Sequence, residues 1–240
     1  MNTNCVITNE KLGQKYSTHF TCSFPKAAVI DPELHKTVPP YLTASGMTDT
    51  ISHVLEKYFD GTPDTPMQDR IAEGVVLTVI ESEGILKDPQ NSVLRGNLSW
   101  AATLALNGLN DSGRGSANYD AHTIELELSA KYDMTHGAGL AIVQPAWLTF
   151  LCKKDPRKFV QFSERVFGIK KDGKTELETG LQGIEALKSK CREWGMPVTL
   201  KEAGVPRDDL EGLALAATKA PEGSYLNKND VLNILLSCYE

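Results

Sequence analysis

Apolar residues recur with a helical period over most of the chain. The first well-marked run, Asp49 to Phe59, is predicted to be a helix ended by Asp60-Gly-Thr-Pro63. Met67 to Leu86 carries a one-sided stripe of Ile71, Val75, Val79 and Ile80, and Asp88-Pro89 closes it. Val93 to Leu106 is apolar on most sides through Leu94, Leu98, Trp100, Ala101, Ala102, Leu104 and Ala105, and it stops at Asn107-Gly108. An all-round apolar helix belongs in the centre of a bundle. A Gly- and Ser-rich loop over 110–117 then leads into a helix carrying His122. Gly137 to Leu151, Pro156 to Phe167, Glu176 to Trp194, Arg207 to Lys219 and Lys228 to Tyr239 complete the predicted helices.

The first 38 residues have a different texture. Cys5 to Thr8, Tyr16 to Thr21 and Ala27 to Ile30 are short and β-prone, separated by Asn9-Glu-Lys-Leu-Gly13 and Ser23-Phe-Pro25. Three strands of this length cannot enclose a core unaided. The expected organisation is a mainly α protein: a short β-rich segment over 1–38, then an all-helical bundle over 39–240.

Composition narrows the class without naming a function. With 240 residues the chain is long enough for a sizeable core, and 41% hydrophobic with 23% charged residues argues against disorder. A net charge of -6 argues against a nucleic-acid partner. The longest apolar stretch, Gly137 to Cys152, is too short for a membrane span and contains Gln144 and Pro145, so it reads as a buried helix. Met1-Asn-Thr-Asn-Cys-Val is polar and lacks a basic head, so no secretory leader is expected. The five cysteines form no Cys-x-x-Cys pair, which favours free thiols in a reducing cytoplasm.

Candidate chemistry gathers on four residues. Asp49 and His53 stand four apart, so on one helix they project from the same face one turn apart. His122 and His136 are fourteen apart, which on one straight helix means roughly 21 Å of rise. Ligands of one metal lie about 2 Å from it, so a shared site requires a break between them. The loss of apolar pattern at Lys131-Tyr-Asp133 offers that break, with Asp133 or Thr135 as the N-cap of a new helix opening at His136. Three of the five histidines fall in this set. One carboxylate with imidazoles suits Fe2+ or Zn2+.

These runs also carry a family resemblance. Gly46-Met-Thr-Asp-Thr-Ile-Ser-His-Val-Leu-Glu56 resembles the first metal-ligand motif of the iron-containing alcohol dehydrogenases, in particular the butanol-dehydrogenase-like branch. His122, followed by Leu128-Ser-Ala-Lys-Tyr-Asp-Met-Thr-His136, resembles the second motif. The likeness extends through Asn97-Leu-Ser-Trp-Ala-Ala-Thr-Leu-Ala-Leu-Asn-Gly108 to Asn229-Asp-Val-Leu-Asn-Ile-Leu235. It implies a dehydroquinate synthase-like helical domain in which Asp49, His53, His122 and His136 hold a catalytic Fe2+ or Zn2+. It further implies hydride transfer between a small-molecule alcohol or aldehyde and NAD(P)H. The segment 1–38 would then be the end of a nucleotide-binding α/β domain whose main part is absent. One departure stands out: the family's extra histidine, one turn after His122, is Leu126 here.

Other motifs are weaker. Gly113-Arg-Gly115 is not a dinucleotide fingerprint, although Arg114 is a candidate for a cofactor phosphate. Gly137 and Gly139 would let backbone approach a metal or cofactor, or let two helices pack closely. Asp120 is expected as an N-cap or as an acceptor for His122, and Glu125 and Glu127 as a solvated helix face. His19 and His35 receive no role. A non-catalytic metal-binding scaffold of the same fold and a metal-assisted hydrolase remain open beside the dehydrogenase reading, and so does a homo-oligomer.

Overall fold

Prolines and polar caps set where the helices begin. The computed structural model describes residues 2–12, 14–115, 119–219 and 225–240, without the side chain of Tyr16. α1 (Pro40–Tyr58) has Pro40 in its first turn, where the missing N–H costs nothing and the fixed φ suits the helix. It therefore starts ahead of the predicted Asp49. The small polar residues that blur its apolar pattern bond back into the helix, since Thr43, Thr48 and Thr50 donate to the carbonyls of Pro39, Ala44 and Gly46. α2 (Pro66–Glu81) also opens on proline, and the predicted end of that helix is a separate 3-10 turn, Glu83–Leu86. Asn91 caps α3 (Ser92–Leu106) through Leu94 N.

α4 (Asp120–Tyr132) and α5 (His136–Lys154) follow, then α6 (Arg157–Phe167), which ends on Gly168 in the left-handed region. α7 (Glu176–Glu193) starts on a full capping box of Thr175 and Glu178. The predicted helix from Arg207 to Lys219 is a 3-10 turn followed by α8 (Leu210–Ala217), and α9 (Lys228–Ser237) is capped by Asn227.

α5 is the helix the bundle surrounds. It is buried from Gly137 to Leu148 and packs against α1, α4, α7 and α9. α6 pairs with α7, α8 with α9, and α2 and α3 close on α1. The fold is mainly helical, as the periodicity predicts. α3, however, is not the central helix. It lies against α1 and α2 on Arg95, Ala101 and Ala105, leaving Val93 71% and Trp100 56% exposed. Its apolar composition does not reveal how many neighbours it has. Arg95, buried, anchors it by donating to Pro89 O, Val38 O and Thr43 Oγ1. Among the described residues no helix is long and apolar enough to cross a membrane.

Among its described residues the β-rich segment contains two strands rather than three. β1 (Asn4–Asn9) and β2 (Gln14–His19) form an antiparallel hairpin in which Asn4 faces His19 and Asn9 faces Gln14. β2 packs against α4, while Val6 and Ile7 stay exposed. Ala27 to Ile30 is not a strand, and Val29 is 88% exposed. Pro25 and Pro32 flank it, each lacking the N–H that a ladder needs. Thr21–Ser23 and Pro32–Thr37 are 3-10 turns.

All five cysteines are free, and they divide by burial. Burial pushes the Cys152 thiol up to about 11 and those of Cys191 and Cys238 up to about 12. Because the thiolate is the reactive form, these three are expected to resist a disulfide reagent at pH 8 until the protein is denatured. Exposed Cys22 and half-buried Cys5 are expected to react in the native state. Counting titrated thiols before and after adding guanidinium checks this. Five fast-reacting thiols in the native protein would contradict the packing of α5, α7 and α9.

Candidate metal centre

Three helices place the site. On α1, Asp49, His53 and Glu56 follow one another at helical spacing on a single face. α4 carries His122 and Glu125 and ends at Asp133, whose φ of 51 turns the chain out of the helix. α5 then opens at His136, with Thr135 in the N-cap position but making no side-chain cap. The predicted break is therefore present. Asp133 closes α4 instead of capping α5. The reversal brings two histidines fourteen apart in sequence to one carboxylate oxygen.

That oxygen is Oδ1 of Asp49. It lies 3.4 Å from His53 Nε2, 3.4 Å from His122 Nε2 and 3.5 Å from His136 Nε2. Asp49, His122 and His136 each offer an atom within 4.8 Å of the others. The His53 ring stacks on His122 with centroids 4.2 Å apart and planes 30° apart. Four ligands at about 2.1 Å around a tetrahedral ion would stand about 3.4 Å from one another. That spacing is seen from Asp49 Oδ1 to each imidazole, whereas His53 stands outside the group whose donor atoms all lie within 4.8 Å of one another. The site opens on one side, where the side chains of Asp49 and His136 keep 33% and 32% of their surface.

Two carboxylates that sequence reasoning missed hold the imidazoles from behind. Nδ1 of His122 bonds Glu56, and Nδ1 of His136 bonds Glu125. Glu56 also accepts from Ala121 N at 2.7 Å, covering a free N–H at the start of α4. Glu125 also contacts the Ser129 hydroxyl. Glu125, expected on a solvated face, is fully buried, whereas Glu127 is half-buried and burial raises its carboxyl. Each glutamate bonds a histidine on another helix, so spacing within one helix does not reveal the pairing. Such partners fix the tautomer and orientation of a metal-binding imidazole.

Electrostatics sets the imidazoles apart. Burial disfavours charge on His122, but Glu56 and Asp49 outweigh it and push the group up to about 10. Burial, with the positive charge of His122 beside it, pulls His53 down to about 3. Burial also works against the Asp49 carboxylate, yet the hydrogen bond from His122 and the surrounding imidazoles hold it far below the usual carboxylate range.

The other candidates serve packing. A Cβ on Gly137 would stand 2.0 Å from Ser45 O, and Gly137 N donates to Ser45 Oγ at 3.1 Å, so this glycine lets α5 touch the backbone of α1. A Cβ on Gly139 would lie 2.6 Å from Glu125 Cγ. Arg114 does not reach toward a phosphate. Its side chain is fully buried between Asp60 and Asp69, 2.8 Å from the latter, and it also donates to Thr65 Oγ1. Asp120 is not the N-cap, a position held by Tyr119, and its Oδ1 accepts from Tyr225 N at 3.0 Å. Leu126 is half-buried on α4. The end of the expected 110–117 loop lies outside the described residues.

The chain is similar to known proteins over nearly all of its length. Residues 43–239 match the model of the Fe-containing alcohol dehydrogenase family, C-terminal. The chain is 37% identical over 239 residues to the probable NADH-dependent butanol dehydrogenase 1 of Bacillus subtilis, covering 98% of this chain and 62% of the relative. It is 35% identical over 216 residues to the NADPH-dependent aldehyde reductase of Escherichia coli, covering 88% of this chain and 54% of that protein. The crystal structure of NADH-dependent butanol dehydrogenase A from Thermotoga maritima superposes with a TM-score of 0.93 at 38% identity, over 100% of this chain and 63% of that one. The chain belongs to the iron-containing alcohol dehydrogenase family and corresponds to its helical C-terminal part. It spans less than two thirds of the length of these relatives.

The Gly139 contact generates a direct test. Glu125 is held at both ends of its carboxylate, so it cannot swing away from a new methyl group at low cost. Gly139→Ala is expected to destabilise the fold by about 1–3 kcal/mol, the usual range for overpacking a core. Urea denaturation measures it, and an unchanged midpoint would contradict the close approach of α4 and α5.

Proposed function

We propose that Asp49, His53, His122 and His136 bind one divalent cation, Fe2+ or Zn2+, and that the chain is the metal-binding half of an NAD(P)-dependent alcohol dehydrogenase. The observation that carries this reading is the convergence of three imidazole Nε2 atoms on Asp49 Oδ1, all at 3.4–3.5 Å. The donor set fits, because mixed imidazole and carboxylate ligation suits either ion and leaves room for an exogenous oxygen. A cation there supplies Lewis-acid polarisation of an alcohol or aldehyde oxygen.

The protein's own residues do the rest. Nδ1 of His122 donates to Glu56 and Nδ1 of His136 to Glu125, so that both Nε2 atoms face Asp49. Ser52 donates to Gln144 at 2.9 Å and Ser45 accepts from Gly137, fixing α1 against α5 on both sides of the site. Half-buried Leu126 supplies no proton relay where the family has a histidine. The partly exposed edge formed by Asp49 and His136 is the side from which a small alcohol or aldehyde approaches.

The nicotinamide cofactor is assigned to the part of the relatives that this chain does not span. The names of the relatives support a nicotinamide, NADH in one and NADPH in the other. The start of the family match at residue 43 supports a domain boundary near residue 38, with residues 1–38 belonging to the nucleotide-binding side. The unpaired cysteines support a cytoplasmic protein.

Two outcomes are expected. The 240-residue chain binds Zn2+ or Fe2+ in equilibrium titration, and Glu125→Gln weakens binding about 10- to 100-fold, the usual effect of losing a carboxylate behind a metal-bound imidazole. Failure to bind either ion would refute the site. The same metal-loaded chain, given butanol and NAD(P), produces no reduced cofactor, because turnover also needs a nicotinamide held in line with the C–H bond. Joined to an upstream nucleotide-binding domain it turns over. Robust turnover by the 240 residues alone would show that the cofactor binds within them.

A further inference from the structure

His53 differs from the other two histidines of the site. Its Nδ1 is buried and has no hydrogen-bond partner among the described residues, whereas Nδ1 of His122 and of His136 each meets a carboxylate. A ring with no hydrogen bond behind it must be oriented by packing. On one face it has the stacked ring of His122. Beside both rings stands Tyr119, its centroid 6.0 Å from that of His53 and the planes at 75°. The same Tyr119 meets His122 at 5.5 Å and 89°. Both contacts have the edge-to-face geometry that aromatic pairs favour.

The protein goes to some length to hold Tyr119 there. Its φ of 49 and ψ of 37 lie in the left-handed region, which a side chain other than glycine, asparagine or aspartate rarely adopts. Such backbone persists only where its surroundings enforce it. Lys57 Nζ sits 4.6 Å from the ring centroid and is itself tied to Asp111 at 3.1 Å. The chain just ahead is pinned by Arg114 on Asp69 and by Gly115 N donating to Thr62 Oγ1 at 2.8 Å.

We infer that Tyr119 is a positioning residue that orients His53 toward Asp49 by ring contact, in place of the hydrogen bond that His53 lacks. The inference rests on the metal-binding reading above. In that role the ring matters and the hydroxyl does not.

The test is a Co2+ titration of the 240-residue chain and its variants, read by the d–d absorption of the bound ion, with melting temperatures recorded alongside. Tyr119→Phe is expected to bind as the unaltered protein does. Tyr119→Leu, which keeps bulk without an aromatic edge, and Tyr119→Ala are expected to bind about two- to tenfold more weakly with a changed absorption spectrum. In a double-mutant cycle, Tyr119→Ala added to His53→Ala is expected to cost little further, because its effect acts through His53. Equal affinity and spectrum for Tyr119→Leu and the unaltered protein would overturn the inference. So would fully additive losses in the cycle. Absence of Co2+ binding by the unaltered chain would instead overturn the metal reading on which the inference stands.

Discussion

A buried carboxylate is tolerated only when something pairs with it, and the centre of this protein depends on two. Glu56 and Glu125 are wholly shielded from solvent. Leaving either unpaired would cost several kcal/mol. Each meets an imidazole Nδ1, and each pairing ties two parts of the chain together. Glu56 links α1 to α4, and Glu125 links α4 to the first residue of α5. The three helices that carry the site are therefore held by the same contacts that orient its imidazoles. Stability of the core and aim of the Nε2 atoms are set by one set of bonds.

Packing supports this arrangement at close range. Gly137 and Gly139 remove the side chains that would keep α5 away from Ser45 and Glu125. The left-handed residue Asp133 ends α4 sharply enough for α5 to start beside it. A larger residue at either glycine, or a longer α4, would separate His136 from Asp49 without touching a single ligand.

A second set of buried charges lies outside the site. Asp69 is paired with Arg114 and Lys158, and Glu73 with Arg165 and the Tyr58 hydroxyl. Together they join α1, α2, α6 and the loop that follows α3. This network holds Arg114, ahead of Tyr119 in the chain, and the Tyr119 ring meets His53 and His122.

Periodicity and the i, i+4 and fourteen-residue spacings were enough, by themselves, to predict a helical bundle, a break between His122 and His136, and Asp49 and His53 on one helix face. These are properties of neighbours along the chain, which a sequence displays directly. Tertiary structure alone decided which faces are buried. Glu125 looked like a solvated residue because a carboxylate beside polar neighbours normally is one, and only the arrival of His136 makes burial affordable. Arg114 looked free for a phosphate until Asp60 and Asp69 closed on it. α3 looked central because its residues are apolar, yet a helix's composition does not say how many others will pack against it. Ala27 to Ile30 looked like a strand, but a strand exists only where another edge receives its hydrogen bonds. For Glu125, Arg114 and α3 the deciding partner belongs to another part of the fold, so no periodicity records it.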